Sequence, residues 1–186
     1  MYRFKRSAKP PRNGRQAHLF GSGAIMAEVL RAADLLASAG IAADVWSVTS
    51  YNELHRDALR KIRRRNLHQT AAVGEVPWVE SVLAGEDGVF VAASDYMKAL
   101  PLSIARWVPG PYVVLGTDGY GLSESRADLR DWFEVSAEYI AWSAAAALAA
   151  EDRVSAGELA ELARRWKIRP DKPDAAISGP ADLQRD

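Results

Sequence analysis

Four short apolar runs alternate with segments of helical periodicity in this chain, and that alternation restricts the possible folds more than any other feature. The runs cover residues 17–22, 43–50, 88–94 and 112–117. Strands separated by helices need crossover connections, which produce a mainly parallel sheet covered on both faces. We therefore expect an α/β fold, a three-layer α/β/α domain with a mixed, mostly parallel sheet of about five strands. Residues 1–4 would add a short edge strand.

Apolar spacing and local stop signals predict the helices. Ile25, Val29 and Leu36 share one stripe of the first helix, and Gly40 follows it in the usual position after a helix end. Pro101 is expected to kink or restart a later helix. The remaining predicted helices cover about 52–65, 78–84, 96–107, 124–133, 136–150 and 155–166.

Length and composition indicate one domain of an ordinary soluble protein. The chain has 186 residues, 24 basic and 24 acidic side chains, and no cysteine. We expect a domain over 1–166 and a loosely ordered, proline-containing tail over 167–186. No apolar stretch of signal-peptide or membrane-spanning length is visible, the longest being 139–150. These features favour a cytoplasmic protein with no membrane partner.

The turn after the first run raises the question of dinucleotide binding. Gly21 and Gly23 match the first two glycines of the Gly-x-Gly-x-x-Gly fingerprint, but Met26 replaces the third. The only acidic candidate for a ribose, Asp44, starts the second strand instead of ending it. A tight structural turn between strand and helix is the favoured interpretation.

Other chemical motifs are few. No P-loop and no Gly-x-Ser-x-Gly elbow is present, and the three histidines lack metal-ligand spacing, so we predict no metal site. His18 is expected to be a core or edge histidine, and His55 a solvated one. Six cations in residues 56–65 could neutralise phosphates, but no stacking aromatics accompany them. A solvated face or an interface with an acidic partner is the favoured reading, and nucleic-acid binding the weaker one.

Polar and aromatic side chains cluster just after three of the predicted strands. In open parallel sheets, ligands and partners collect at the carboxyl ends of the strands. We therefore predict a cleft or interface there. The residues could cap helices, form an interface or act directly in catalysis, and we favour the first two roles. The candidate residues are Ser50, Glu53, Asp95, Tyr96, Lys98, Thr117, Asp118, Tyr120 and Arg126.

The same stretches carry a family resemblance. "LFGSGAI", "ADVWSVTSYNEL", "SDYMK" and "YVVLGTDGYG" resemble, in order, the C-terminal domain of the homodimeric-type pyruvate dehydrogenase decarboxylating component. That enzyme belongs to the transketolase-like, thiamine-diphosphate-dependent superfamily, and the likeness runs from residue 1 to about 159. It implies a domain that supports the active-site cleft and the dimer of a 2-oxo acid dehydrogenase complex fed by glycolysis. It also implies that the Gly-Ser-Gly turn is structural.

The resemblance implies an oxidoreductase only for the complete enzyme, which decarboxylates pyruvate and transfers acetyl to a lipoyl group. Other domains of that enzyme hold thiamine diphosphate and Mg²⁺ through a motif that ends in paired asparagines. Here the asparagines are Asn13, Asn52 and Asn66, none adjacent. We therefore expect this chain to bind no cofactor and to be inactive alone. Its expected partners are the cofactor-binding domains or chains of the same enzyme, a second copy in a dimer, and the lipoyl acyltransferase component.

Two departures from the family pattern leave alternatives open. Leu122 and Glu124 stand where the family has arginine and aspartate, and residues 59–69 lack the tryptophan and proline typical of the family. Another 2-oxo acid could be the substrate. A non-catalytic interaction module that keeps the fold is the alternative function.

Overall fold

A five-stranded sheet forms the centre of the molecule, whose computed structural model describes residues 1–68 and 75–178. The strand order is β1-β3-β2-β4-β5. β2 to β5 run parallel, and β1 pairs antiparallel with β3 at one edge. The expected mixed, mostly parallel α/β sheet is confirmed. The strands are β1 (Tyr2–Lys5), β2 (Gln16–Gly21), β3 (Ala42–Ser47), β4 (Val89–Ala93) and β5 (Tyr112–Leu115).

Helices cover both faces of the sheet, as expected for three layers. One apolar core packs α1, α6 and α7 on one face, and the other packs α2, α3 and α4 on the opposite face. Near-continuous apolar strands such as β4, buried along its whole length, fit burial from both sides. The helices are α1 (Met26–Ser38), α2 (Tyr51–His68), α3 (Trp78–Leu83), α4 (Ala99–Leu102), α5 (Arg126–Trp132), α6 (Ala137–Ala150) and α7 (Ala156–Arg165). None of these helices is both long and apolar enough to cross a membrane.

The predicted helix over 96–107 does not form as one element, and the kink or restart expected at Pro101 is a break after Leu102. The chain instead forms α4 and a separate 3-10 turn, Ala105–Trp107. Pro101 has no amide hydrogen and is tolerated only in the first turn of a helix, so α4 begins at Ala99. The residues before it form a turn, closed by the amide of Tyr96, which donates to Oγ of Ser94 over 3.1 Å. Tyr96 is thereby released from the helix and exposed.

The turn after β2 also differs in detail from the expected direct start of a helix. A 3-10 turn, Gly23–Ile25, precedes α1, and Gly40 after α1 has a φ of +74°, as its predicted role requires. Part of the loop between α2 and α3, residues 69–74, lies outside the described residues, as do residues 179–186 of the predicted tail.

The small-residue helix α6 finds its partners within the chain. Its buried side chains pack against α1, the sheet and α7. A buried carboxylate also joins it to its neighbours, since Glu28 accepts hydrogen bonds from Arg130 over 2.8 Å and from the amide of Ala137 over 2.9 Å. The sequence could not say whether this helix meets its own chain or a partner, and the structure assigns it to its own chain.

A buried lysine of the segment after α7 packs against the body of the domain. The side chain of Lys172 is 2% exposed, and its ammonium lies 4.7 Å from the ring centre of Tyr139 and 5.8 Å from that of Trp132. It donates to the carbonyl oxygen of Asp131. Burial lowers the pKa of the Lys172 ammonium, and the nearby Glu134 carboxylate opposes that shift. The division of the chain at residue 166 stays a prediction.

Candidate functional site

The predicted site residues lie at the carboxyl end of the sheet, because the parallel strands β2 to β5 all end there. We call this end the rim and define it by the loops 48–50, 94–98 and 116–125 with the first turns of the helices that follow them. All nine candidates lie in this region, and hydrogen bonds between side-chain or backbone atoms join five of them. Those five are Asp95, Tyr96, Lys98, Thr117 and Asp118.

Hydrogen bonds join the loops that follow β4 and β5. The hydroxyl of Thr117 donates to the carbonyl oxygen of Asp95 over 2.7 Å, and its amide donates to the carbonyl oxygen of Tyr96 over 3.0 Å. The amide of Lys98 donates to Oδ1 of Asp118 over 2.9 Å. The side chains of Thr117 and Asp118 thus bond to backbone groups. Their role in this structure is to hold the two loops together.

Glycine is required at two points of the second rim loop. A Cβ at Gly116 would lie 2.6 Å from the carbonyl oxygen of Tyr96, too close for any side chain. Gly119 has a φ of +98°, and a Cβ there would lie 2.0 Å from the carbonyl oxygen of Ala175. The segment after α7 therefore packs directly on the rim, at the loop that carries the Thr117-Asp118-Gly119 motif.

The other four candidates are not joined to these loops by any hydrogen bond or ion pair among the described residues. Oγ of Ser50 accepts from the amide of Glu53 over 3.2 Å, which is the capping role left open above. The carboxylate of Glu53 pairs with Arg56 over 3.0 Å. Arg126 is exposed at the start of α5, and Tyr120 is exposed on its loop. Ser125 caps α5, its hydroxyl oxygen accepting from the amide of Asp128.

Large apolar side chains are exposed on and near the two rim loops that these hydrogen bonds join. Tyr96 is 63% exposed, Met97 57% and Tyr120 71%. Leu102, at the end of α4, is half exposed. Clusters of exposed aromatic and methionine side chains are typical of protein interaction sites. The rim therefore has the composition of a binding surface on a fixed support.

Dinucleotide binding at the first turn has a physical obstacle. In the nucleotide fingerprint, the backbone of the turn must stay open to a pyrophosphate. Here the Sδ atom of Met26 would lie 2.6 Å from a Cβ on Gly21, so the methionine side chain packs directly against this glycine. The structure agrees with the reading of a structural turn.

Several buried polar side chains lie together around His18 at the opposite, amino end of the sheet, a cluster that the sequence did not predict. His18 is 1% exposed, which confirms it as a core histidine, and it stacks on Phe90 with ring centres 4.7 Å apart. The indole of Trp46 donates to Nδ1 of His18 over 3.2 Å, and Arg3 lies over the Trp46 ring at 4.5 Å. We call the whole set the amino-end cluster; its members are Arg3, His18, Asp44, Trp46 and Glu86.

The protonation pattern of the amino-end cluster argues against a metal ion, although His18, Asp44 and Glu86 place ligand atoms within 4.8 Å of one another. The indole N–H can only donate, so Nδ1 of His18 accepts and Nε2 carries the proton. Nε2 donates to the carbonyl oxygen of Asp87 over 3.1 Å. Arg3 also pairs with both carboxylates. His18, Asp44 and Glu86 therefore each already have a partner within the protein. Burial lowers the pKa of the His18 imidazole.

The basic helix α2 is largely solvated. Three of the six cations between residues 56 and 65 pair with carboxylates: Arg56 with Glu53, Lys61 with Asp57 over 3.1 Å, and Arg64 with Glu75. Burial would raise the pKa of the Asp57 carboxyl, but the Trp78 amide and Lys61 hold it below its ordinary value. This pairing fits the expected solvated face.

Comparisons with known proteins agree with the likeness seen in the sequence. The family model "Transketolase-like TK C-terminal domain" matches residues 1–136. A pyruvate dehydrogenase E1 component of Mycolicibacterium smegmatis is 42% identical over 160 residues, covering 86% of this chain and 17% of that protein. One from Pseudomonas aeruginosa is 44% identical over 159 residues, covering 83% of this chain and 18% of that protein.

The chain therefore spans less than a fifth of the length of these two relatives. Among solved structures, a chain described as "Split gene transketolase, inactive beta4 tetramer" is 19% identical with a TM-score of 0.48. That match covers 73% of this chain and 40% of the other.

Proposed function

The chain belongs to the family of transketolase-like TK C-terminal domains, and on that premise we propose that it serves as the C-terminal domain or subunit of a pyruvate dehydrogenase decarboxylating component. The identities of 42% and 44% to E1 components over most of the chain support this assignment. In this proposal the complete, thiamine-diphosphate-dependent enzyme decarboxylates pyruvate oxidatively and transfers acetyl to a lipoyl group. The present chain contributes dimerisation and support for the active-site cleft.

The residues at the rim do not fit a thiamine diphosphate and Mg²⁺ site. The Thr117-Asp118-Gly119 loop has no paired asparagines after it, and Asn13, Asn52 and Asn66 all precede it. The Asp118 carboxylate already accepts the amide of Lys98, and the Ala175 carbonyl fills the space above Gly119. We therefore assign the cofactor to other domains or chains and derive no step of the reaction through this loop.

The observation that carries the proposal is the exposed aromatic surface on the two loops after β4 and β5, which hydrogen bonds hold together. Tyr96 and Tyr120 are 63% and 71% exposed, and the bonds of Thr117 and Asp118 fix the backbone that presents them. Aromatic side chains held on rigid supports bury large areas on binding at a low cost in conformational entropy. We propose that the rim docks on a cofactor-binding domain or chain of the same enzyme, in the cytoplasm.

Reconstitution with the remaining domains tests the proposal. The tagged chain is mixed with a chain that carries the cofactor-binding domains, and association and thiamine-diphosphate-dependent pyruvate decarboxylation are both measured. We expect a complex whose activity exceeds that of either chain. A chain that stays monomeric and leaves the activity unchanged would favour the non-catalytic interaction module instead.

Rim variants locate the contact. Tyr120→Ser and Tyr96→Ser are each expected to weaken association by about tenfold or more, as truncation of aromatic interface anchors does. Asp118→Ala should also weaken it, because the amide of Lys98 loses its acceptor and the loops separate. Leu67→Ser, a change at an exposed residue in the last turn of α2, is the matched control. Equal association of the rim variants and the wild type would refute docking through the rim.

A further inference from the structure

The outer edge of β1 exposes backbone amides and carbonyls that have no neighbouring strand in the part of the chain that the structure describes. β1 is the last strand of the sheet, and its ladder to β3 is interrupted by a bulge between Arg3 and Lys5. Among the described residues, the backbone of Tyr2–Lys5 makes no hydrogen bond outside that ladder. An open row of amides and carbonyls is a template for another strand, and the bulge and the basic side chains of β1 restrict which strands can join it.

Apolar surface flanks this edge on both faces of the sheet. Arg3 lies opposite Trp46 in the ladder and covers its ring, so its neighbour Tyr2, opposite Ser47, belongs to the other face. Tyr2 is 50% and Phe4 53% exposed. An incoming strand would therefore find apolar contacts for side chains on its α1 side.

The face that carries Trp46 is equally accessible. Trp78 is 51% exposed, and its indole donates to the carbonyl oxygen of Met1 over 3.2 Å, which holds the ring beside the strand. A groove of about 450 Å³ runs along this side, lined by the first six residues with Trp46, Trp78 and Val82. Apolar contacts are thus available above and below the open backbone, as in sites that bind a peptide by strand addition.

Unpaired cations follow the strand. Arg3 and Lys5 are already paired, with Asp44 and Glu86 and with Asp34. The exposed side chains of Arg6, Lys9 and Arg12 have no ion pair or hydrogen bond among the described residues. Residues 1–16 contain six basic side chains and no acidic one. The electrostatic field at this edge therefore favours an acidic segment.

We propose that the edge of β1 binds an extended, acidic segment of a partner protein as a sixth strand. The backbone of Tyr2–Lys5 supplies the ladder, Tyr2 and Trp78 contact apolar side chains on the two faces, and Arg6 and Lys9 face carboxylates. A second copy of this chain is disfavoured, because antiparallel pairing of β1 with itself brings the basic residues of both copies together. The proposal does not depend on the function assigned to the rim.

Binding of short peptides to the full chain tests this proposal. The probe is a fluorescent peptide in which pairs of valines alternate with pairs of glutamates, so that each face of the strand carries both residue types. Its anisotropy is followed during titration with the protein. One control peptide carries lysine in place of glutamate, and a second keeps the glutamates but has alternate backbone amides methylated. We expect the acidic peptide to bind, the lysine peptide not to bind, and methylation to weaken binding by about tenfold or more, since a methylated amide cannot join a ladder.

Hydrogen exchange and charge variants locate the bound peptide. Backbone amides within residues 2–5 should exchange more slowly with the peptide present. The double variant R6E/K9E should weaken binding, whereas R63E/R65E on α2 makes the same change in net charge and should leave it unaltered. If the methylated peptide bound as tightly as the unmethylated one, or if both double variants lost the same affinity, binding would be general charge attraction. Either result would overturn the proposal. Absence of binding, or a dimer formed through β1, would overturn it as well.

Discussion

The two ends of one sheet are built for opposite purposes. At the amino end, the rings of His18, Trp46 and Phe90 are buried, and the charges around them pair with one another. At the carboxyl end, Tyr96 and Tyr120 lie in solvent on loops whose backbones are tied together. One end buries its rings and pairs its charges internally, and the other fixes its backbone and leaves its aromatic side chains exposed. If the rim docks as we propose, this difference separates stability from recognition along a single set of strands.

Substitution of Trp46 should give the largest effect on stability, because it removes the centre of the amino-end cluster. Trp46→Ala is expected to lower the free energy of unfolding by about 3–5 kcal/mol, as for other buried tryptophans. Trp46→Phe keeps a ring but leaves Nδ1 of His18 without its donor, which should cost about 1–3 kcal/mol. Urea unfolding followed by circular dichroism measures both. A loss below about 1 kcal/mol in the alanine variant would contradict the stabilising role of this end.

At the other end, Gly119 offers the strongest expected effect of a single rim position. Gly119→Ala forces a Cβ against the carbonyl oxygen of Ala175 at a φ of +98°. We expect a loss of about 1–3 kcal/mol and faster hydrogen exchange in the segment after α7. Gly121→Ala, where a Cβ meets no atom within 4 Å, is the control. Similar exchange rates in both variants would show that Gly119 does not seat that segment.

The pH dependence of stability should depend on His18 at the amino end. Burial lowers the pKa of its imidazole below the ordinary value of 6.5, with Asp44 and Glu86 opposing and Arg3 assisting the shift. The unfolded chain therefore binds the proton more readily, and the free energy of unfolding should fall as the pH drops below about 6.5. His18→Gln should reduce this dependence, measured as the difference between urea titrations at pH 7.5 and at pH 5. An unchanged dependence in the variant would assign it to other groups.

The smallest expected change in stability belongs to the exposed rim aromatics. Tyr120→Ser should alter the free energy of unfolding by less than about 0.5 kcal/mol, because the side chain is 71% exposed and makes no hydrogen bond among the described residues. Thermal unfolding of the isolated chain measures this. If the variant lost as much stability as Trp46→Phe, the contrast between the two ends would be refuted.

The sequence was sufficient to predict the sheet and the position of the rim, because the carboxyl ends of parallel strands must meet at one edge. It could not show that Asp118 binds the amide of Lys98, or that Ala175 packs on Gly119, since both contacts depend on how distant segments meet. A kink or restart of the helix was expected at Pro101, but the start of α4 only at Ala99, after a separate turn that exposes Tyr96, was not.

The amino-end cluster escaped sequence analysis for a different reason. Its members come from β1, β2, β3 and the loop before β4, and no short motif spaces them. The register of the sheet is the signal that could have found it. His18 lies opposite both Asp44 and Phe90 once the strands are aligned, and Arg3 lies opposite Trp46.

The segment that Lys172 holds against Trp132 and Tyr139 has a consequence for proteolysis. Arg169 and Lys172 are each followed by proline, and trypsin cleaves such bonds poorly. The preceding site, after the exposed Lys167, lies where the backbone leaves α7 with a φ of +54°. Trypsin should therefore cut after Lys167 before it cuts at Arg169 or Lys172, so the rate of that cleavage reports how firmly the segment after α7 is held against the domain.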